Sequence, residues 1–222
     1  MRKRFVGLAV AASLAISMLG MGTARAADAT LNVVHGIPGV DVNVCVNGTE
    51  AISDFTYGQV VTGVPLADGV YAFKIVAAAD ACTATGILVA ADVQLTGGKN
   101  YTAVAHLEED GTPTLGLFKN GTKPVAKGSA RLLVRHTAAA PAVDVWANGT
   151  PLVTDFVNGE AVKAIVPKGI YAAWVSAPGD YDPIIGPAVL SLSKGFNYEV
   201  YAIGDNTDNY TLAVVATKVG VK

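Results

Sequence analysis

One phrase occurs twice in the chain, about a hundred residues apart, and it constrains the fold more than any other feature. HGIPGVDVNVCVNGT occupies residues 35–49, and HTAAAPAVDVWANGT occupies residues 136–150. Further matches follow at a similar spacing, among them VPLADGVY with VPKGIY and LTGGKNY with LSKGFNY. A repeat of this length indicates a duplicated domain rather than a solenoid of short units.

Each copy has the residue pattern of β-structure. Val42, Val44 and Val46 alternate with less apolar residues, which is the period-two pattern of a half-buried strand. The Asn-Gly pairs at 47–48 and 148–149 are strong signals for hairpin turns. Short runs rich in Val, Ile and Tyr follow, separated by Gly, Pro, Asp and Asn at intervals of about ten residues. We expect two tandem Ig-like, Greek-key β-sandwich domains, residues 27–122 and 129–222, joined by a short polar linker that keeps them close.

The first 26 residues have the pattern of a secretory signal peptide. A basic start precedes an apolar stretch, and Ala24-Arg25-Ala26 offers the small residues of a cleavage site, so we expect a cut after Ala26. A retained membrane anchor is the alternative, but the apolar stretch is short for a span. Cleavage would remove four of the sixteen basic residues and none of the eighteen acidic ones, leaving a net charge of −6.

Charge and export together narrow the partners that the mature chain could have. A net negative charge argues against nucleic acid and against anionic membrane surfaces, both of which attract clustered Lys and Arg. Export predicts a periplasmic, extracellular or cell-surface location.

The chain has only two cysteines, Cys45 and Cys82. In an oxidising compartment they are expected to form a disulfide, which would stabilise the fold by about 3–4 kcal/mol. Counted back from the Asn-Gly turn, Trp146 falls at the position of Cys45. Our hypothesis is that in the first copy the disulfide attaches an alanine-rich loop to this strand. In the second copy, the Trp146 side chain would pack over the equivalent part of the strand.

The sequence L-x-x-G-x-x-Y occurs once in each copy and ends at Tyr101 and Tyr198. In Greek-key sandwiches a tyrosine at the start of a strand often bonds back to the preceding turn. We therefore interpret both tyrosines as residues that stabilise the fold, with the hydroxyl hydrogen-bonded to the turn.

The repeated phrase resembles the opening motif of the secreted bacterial family called domain of unknown function 4397. That motif has Val-Val-His, a turn with proline, Val-Asp-Val-x-Val and a turn with glycine; the later VPLADGVY and VPKGIY are similar to the family as well. The resemblance covers about residues 30–217. It implies exported, sandwich-like domains, often in tandem and sometimes on cell-surface proteins, without catalytic residues. HGIPGVD departs from HTAAAPAVD by a turn that we count as two residues shorter.

Two histidine–aspartate pairs are the candidates for chemistry, His35 with Asp41 and His136 with Asp144. A histidine backed by a carboxylate can act as a general base, and the alternative function is therefore a hydrolase that uses His136 and Asp144. No nucleophile motif such as G-x-S-x-G accompanies them. We interpret both pairs as structural, with imidazole and carboxylate bonded to backbone groups of the proline turn.

Metal and carbohydrate sites have weaker signals. His35, His106 and His136 lie far apart in sequence, and the polar run 205–209 lacks the Gly and Glu of an EF-hand. We read that run as a hairpin tip rather than a calcium loop, and we expect no metal and no cofactor. Sugar binding would need exposed aromatic rings, for which Trp146 and Trp174 are the candidates.

The sequence thus predicts an exported, non-enzymatic module that binds or builds the cell envelope or extracellular matrix. Its partner would be an envelope or extracellular protein or polysaccharide, and addition of a strand at an exposed sheet edge is one mechanism. A carbohydrate-binding accessory module is the first alternative and a hydrolase is the second.

Overall fold

The computed structural model describes residues 27–205 and 210–222. The predicted signal peptide, residues 1–26, lies outside the described residues, as do residues 206–209 of the predicted hairpin tip. All secondary-structure elements of the described part are β-strands. Within that part no helix is long and apolar enough to cross a membrane.

The first half of the chain forms two four-stranded sheets. Its eight strands are β1 (Ala29–His35), β2 (Val42–Val46), β3 (Thr49–Phe55), β4 (Val60–Leu66), β5 (Gly69–Ala77), β6 (Leu88–Leu95), β7 (Asn100–Leu107) and β8 (Pro113–Lys119). The strand orders are β4-β1-β7-β8, here called inner sheet 1, and β3-β2-β5-β6, here called outer sheet 1. Neighbouring strands are antiparallel except β1 and β7, which are parallel.

The second half repeats this topology strand for strand. Its strands are β9 (Ser129–His136), β10 (Val143–Ala147), β11 (Thr150–Phe156), β12 (Ala161–Pro167), β13 (Gly169–Ser176), β14 (Ile185–Leu192), β15 (Phe196–Ile203) and β16 (Thr211–Lys218). The orders are β12-β9-β15-β16, inner sheet 2, and β11-β10-β13-β14, outer sheet 2. The prediction of an all-β sandwich fold in two units is confirmed.

Each half has its own apolar core between its inner and outer sheets. Phe55, Phe73 and Ile75 are among the most buried side chains of the first core. Phe156 and Val175 occupy the second core. The two predicted tyrosine bonds are present at the sandwich margins: the Tyr101 hydroxyl accepts from the Thr96 N–H at 3.3 Å, and the Tyr198 hydroxyl accepts from the Ser193 N–H at 2.9 Å.

A third apolar cluster joins the two inner sheets. Val34 and Val104 of the first half pack with Tyr201, Ile203 and Val215 of the second. These strands are consequently buried on both faces, one toward their own core and one toward the other half. The halves therefore stack as four layers, with the inner sheets in the middle, and share a buried interface.

Polar groups lie inside this interface as well. The buried Glu199 carboxylate accepts from Asn197 Nδ2 at 2.8 Å, from the Tyr201 hydroxyl at 3.0 Å and from Thr102 Oγ1 of the other half at 3.3 Å. Burial raises the pKa of Glu199, against the opposing influence of these donors and of Arg135. The Arg135 guanidinium lies 4.0 Å from the ring centroid of Phe118, which adds a cation–π contact.

The contacts between the halves are reciprocal. Tyr57, which follows β3, donates its hydroxyl to the Ile203 carbonyl at 3.2 Å. Asn158, which follows β11 in the same way, donates its amide to the Leu107 carbonyl at 3.1 Å. Equivalent positions of the two halves thus reach across to the ends of the equivalent strands β7 and β15, as in a symmetric dimer.

Candidate functional site

The two histidines brace their bends with the same pair of hydrogen bonds. His35 Nε2 lies 2.9 Å from the Val40 carbonyl oxygen, and His136 Nε2 lies 3.2 Å from that of Pro141. On the other side of each ring, Nδ1 accepts a backbone N–H from the residue two positions later, at 3.4 Å in both halves. Because Nδ1 accepts, the proton resides on Nε2 and the ring is neutral.

The surroundings of both rings favour the neutral form. Each imidazole is buried against a core phenylalanine, with ring centroids 5.6 Å apart for His35 and Phe55 and 5.9 Å apart for His136 and Phe156. Burial lowers the pKa of both histidines, against the raising effect of the carbonyl that each ring contacts. These contacts fit the structural interpretation of both residues.

The carboxylates do not occupy equivalent positions, so our sequence pairing of Asp41 with Asp144 is wrong. Asp144 is 3% exposed, and its two oxygens accept the backbone N–H groups of Asp155 and Gly179, each at 2.9 Å. Asp41 is exposed. The first-half residue that corresponds to Asp144 is Asn43, whose Oδ1 accepts the Asp54 N–H at 3.0 Å.

The supposed difference in turn length is wrong for the same reason. Counted from the histidine to the Asn-Gly turn, both phrases have equal length, and the histidine bonds fall at the same offsets. Asn43 also donates to the carbonyls of Ala78 and Asp80, at 3.1 and 3.3 Å. Asn43 and Asp144 therefore accept equivalent backbone N–H groups, that of Asp54 in β3 and that of Asp155 in β11. The polar atoms that remain bind the neighbouring loop: the Asn43 amide donates to two carbonyls, and the second Asp144 oxygen accepts an N–H.

The remaining histidine is also engaged by the backbone. His106 is buried, its Nδ1 lies 3.1 Å from the Leu107 carbonyl oxygen, and burial lowers its pKa. Across the part of the chain that the structure describes, no group of three or more His, Cys, Asp or Glu side chains is arranged to hold a metal ion.

Trp146 and Trp174 meet on the outward face of outer sheet 2. They are direct partners across β10 and β13, and their rings are nearly parallel, with centroids 5.8 Å apart and planes inclined by 6°. Tyr181 packs edge-on against both, with its centroid 5.0 Å from each. Trp174 is consequently only 7% exposed, whereas Tyr181 is 56% exposed.

The tryptophan nitrogens differ in their bonding. Trp146 Nε1 donates to Ser176 Oγ at 2.9 Å. Trp174 Nε1 is buried and has no acceptor among the described residues. The exposed aromatic surface predicted for sugar binding is therefore provided mainly by Tyr181, a residue that the sequence reasoning did not single out.

The equivalent place on outer sheet 1 is held by the disulfide. Cys45 is bonded to Cys82, with Cα atoms 5.9 Å apart, which confirms that prediction. Cys45 lies opposite Lys74 in the sheet, just as Trp146 lies opposite Trp174. The Lys74 ammonium donates to the carbonyls of Cys82 and Ala84, at 2.9 and 3.2 Å. This arrangement supports the hypothesis of a covalent cover in one half and an aromatic cover in the other.

A family model matches the part of the chain in which these features begin. The model of the Domain of unknown function (DUF4397) matches residues 29–146, more than half of the chain. The chain belongs to the DUF4397 family. The match includes all of the first half and continues through the second histidine bend to Trp146, and it confirms the resemblance seen in the repeated phrase. A comparison with curated proteins finds no match.

Among the described edge strands of this DUF4397 protein with a regular register, β12 is the one without a substantial contact beyond its sheet neighbour. β12 is the last strand of inner sheet 2 and pairs with β9 in unbroken register over all seven of its residues. Its first-half equivalent, β4, has a register shift against β1 and contains Gly63 with φ of 78°. Every residue of β12 is at least partly exposed. Sequence periodicity alone could not reveal this, because it does not tell an edge strand from a central one.

Proposed function

We propose that this DUF4397 protein is an exported, non-enzymatic interaction module that pairs with an extended polypeptide segment of the cell envelope or matrix along β12. The observation that carries the proposal is the regular, exposed outer edge of β12. An edge strand presents unpaired N–H and C=O groups, to which another strand can bond.

Other edges of the described sheets are less suited to pairing. β3, β6, β11 and β14 have register shifts against their neighbours, and bulges of this kind discourage edge pairing. The regular edges β8 and β16 lie against β6 and against β4 and β14, respectively. β12 has β9 as its main contact, so a further strand could approach it.

The bonding of the polar candidates supports a non-enzymatic role. Both ring nitrogens of His136 and both oxygens of Asp144 are engaged by backbone groups. A hydrolase would need one of these groups free to exchange a proton with a nucleophile. The pair that prompted the hydrolase alternative therefore gives that alternative no support.

Export is supported by the N-terminal sequence pattern and by the disulfide. Structural disulfides persist mainly in oxidising compartments such as the periplasm and the extracellular space. Cell fractionation with detection of the processed N-terminus tests this part; recovery of the unprocessed chain in the cytoplasm would contradict it.

Co-sedimentation of the mature protein with isolated cell envelopes tests the binding part. Ile165 is 52% exposed on β12, and Ile165→Lys would place a second lysine near Lys163 on this edge. Lysine on an edge strand opposes strand addition. We expect Ile165→Lys to reduce the bound fraction at least fivefold.

Ile170→Lys is the matched control. Ile170 is 71% exposed, but it lies on β13, a central strand of outer sheet 2, where it pairs with Ser191 of β14. We expect this variant to bind like the unaltered protein. Loss of binding in Ile170→Lys alone, or equal binding by all three proteins, would rule out β12 as the contact.

A carbohydrate-binding role is the second candidate, and the exposed Tyr181 ring beside the tryptophan pair favours it. Sugar rings stack on aromatic faces that solvent can reach, and Tyr181 offers such a ring with a hydroxyl for hydrogen bonding. Binding on a glycan array that disappears in Tyr181→Ala, and persists in Tyr71→Ala on the other sandwich, would support this role. An array without a bound glycan would argue against it.

A further inference from the structure

We propose that the second half contains a binding cavity for a small, uncharged apolar molecule the size of a single aromatic ring or a short aliphatic chain. The cavity lies between inner sheet 2 and outer sheet 2 and opens beside the His136 bend. The proposal is independent of pairing along β12, since it concerns the interior of the sandwich.

The inner part of this cavity exists because large core residues of the first half are replaced by alanines. It has a volume of about 50 Å³, against about 10 Å³ for the corresponding space in the first core. In the first half Phe73 lies opposite Val46 and fills the core. In the second half Ala173 lies opposite Ala147 at the same register, and both line the cavity.

The outer part has a volume of about 120 Å³ and adjoins the inner part. The two share four lining residues, which are His136, Val143, Val175 and Ala202. Its rim includes Pro141, Pro178 and Ile184, which are exposed. The cavity therefore leads from the protein surface at the bend to the core between the sheets.

The equivalent entrance in the first half is filled. Ile37 is buried there in the core cluster, and Val40 packs against the same cluster. The matching positions in the second half are Ala138 and Pro141, and both line the outer cavity. At the entrance, as in the core, the first half has the larger apolar side chains and the second half has the smaller ones.

The lining specifies an apolar occupant. His136 and Tyr210 are the main polar side chains of the outer part, and the inner part adds only the aromatic residues Trp146, Tyr171 and Trp174 to its aliphatic lining. His136 contacts the Pro141 carbonyl, and the Tyr210 hydroxyl donates to the Ala139 carbonyl at 3.0 Å. A charged or strongly polar ligand would lose its hydration without gaining partners. Apolar cavities of about 150 Å³ stay dry and bind benzene or xenon, so the two adjoining parts, of about 50 and about 120 Å³, are of suitable size only when taken together.

Titration with toluene, followed by methyl NMR of protein labelled at Ile, Leu and Val, tests the proposal. We expect saturable shifts in methyl groups of Val143, Val175 and Leu190, which line the cavity. The first-half methyl groups of Val42 and Ile75 should not move. A charged probe of similar size, benzoate, should bind at least tenfold more weakly, because burying its carboxylate costs hydration that no cationic group in the lining repays.

Variants that restore the first-half residues should close the cavity. Ala173→Phe should weaken toluene binding at least tenfold, and Ala147→Val, which adds less volume, should weaken it severalfold. Ala172→Phe is the matched control, because Ala172 is the exposed neighbour on the opposite face of β13, and it should bind as before.

If Ala173→Phe does not fold, Ala147→Val decides the question. The proposal is overturned if toluene causes no saturable shift in the second half, or if it shifts both halves equally. Undiminished binding in the folded cavity-filling variants would also overturn it.

Discussion

Removing the bond between Cys45 and Cys82 should destabilise the first half by about 4 kcal/mol. The two cysteines are 37 residues apart in the sequence. In the chain-entropy model, opening a loop of that length returns about 13 cal/mol/K to the unfolded chain, which is about 4 kcal/mol at 25 °C. The perturbation is the double variant Cys45→Ala/Cys82→Ala, which removes both sulfurs and leaves no free thiol.

Side-chain hydrogen bonds that remain in the double variant should keep its folded structure close to that of the unaltered protein. Lys74 still holds the carbonyls of Cys82 and Ala84, and Asn43 still holds those of Ala78 and Asp80. These bonds keep the loop close to outer sheet 1 in the folded state. The native state should therefore change little, and the effect should come mainly from the unfolded chain.

Urea unfolding observed with two probes measures the effect. Both tryptophans lie in the second half, so their fluorescence reports that half, whereas far-UV circular dichroism reports the strands of both. With an m-value of about 2 kcal/mol/M, the midpoint should fall by about 2 M. If the shared interface couples the halves, fluorescence and circular dichroism will shift together.

The unaltered protein in reductant is the control and should behave like the double variant. The double variant itself should not respond to reductant. A loss of less than about 1 kcal/mol by both probes would refute the reasoning, since it would mean that the bond constrains neither the unfolded chain nor the folded loop.

Three further predictions concern the bends and the tyrosine bonds. Burial lowers the pKa of His136 below the 6.5 of an unfolded histidine, so the unfolded chain binds more protons. The contribution of His136 to stability is therefore fully present above pH 6.5 and is lost as the pH falls below it; the urea midpoint should show this loss, less steeply in His136→Gln. Asp144→Ala should cost about 1–3 kcal/mol because it removes the acceptor of two backbone N–H groups, those of Asp155 and Gly179, whereas exposed Asp41→Ala should stay within about 0.5 kcal/mol; equal losses in thermal unfolding would contradict the assignment. Tyr198→Phe should cost about 1 kcal/mol by the same measurement, and no change would mean that the bond to Ser193 is replaced by water.

Local sequence patterns predicted much of the fold. The alternation of valines and the Asn-Gly turns indicated the strands and hairpins, because strand and turn conformation depend on neighbouring residues. The half-buried strand expected from the valines is wrong in its exposure, since Asn43 and Cys45 of β2 are buried as well. The cysteine pair was predictable since the chain offers no other partner for either thiol. The bond from Tyr198 to its turn was predictable for a similar reason: the motif spans only a few residues.

Features that depend on contacts between distant segments were not predicted. Asn43 was overlooked because acids were matched with acids, although an amide oxygen accepts the same hydrogen bond. Thr102 and Glu199 alternate with apolar residues, a pattern typical of a solvent-facing side, yet both are buried between the inner sheets. The cavity became visible only from the strand register, which places Ala173 where Phe73 lies in the other half.

The burial of inner-sheet strands on both faces has a consequence for any attempt to shorten the chain. A single half, cut at the linker, would expose Val34 and Val104 in one fragment, or Tyr201 and Ile203 in the other, to water. Because the contacts across the interface are reciprocal, two identical fragments could meet through the same strands. We therefore expect an isolated half to form a dimer in which a second copy covers the strands that the missing half covered.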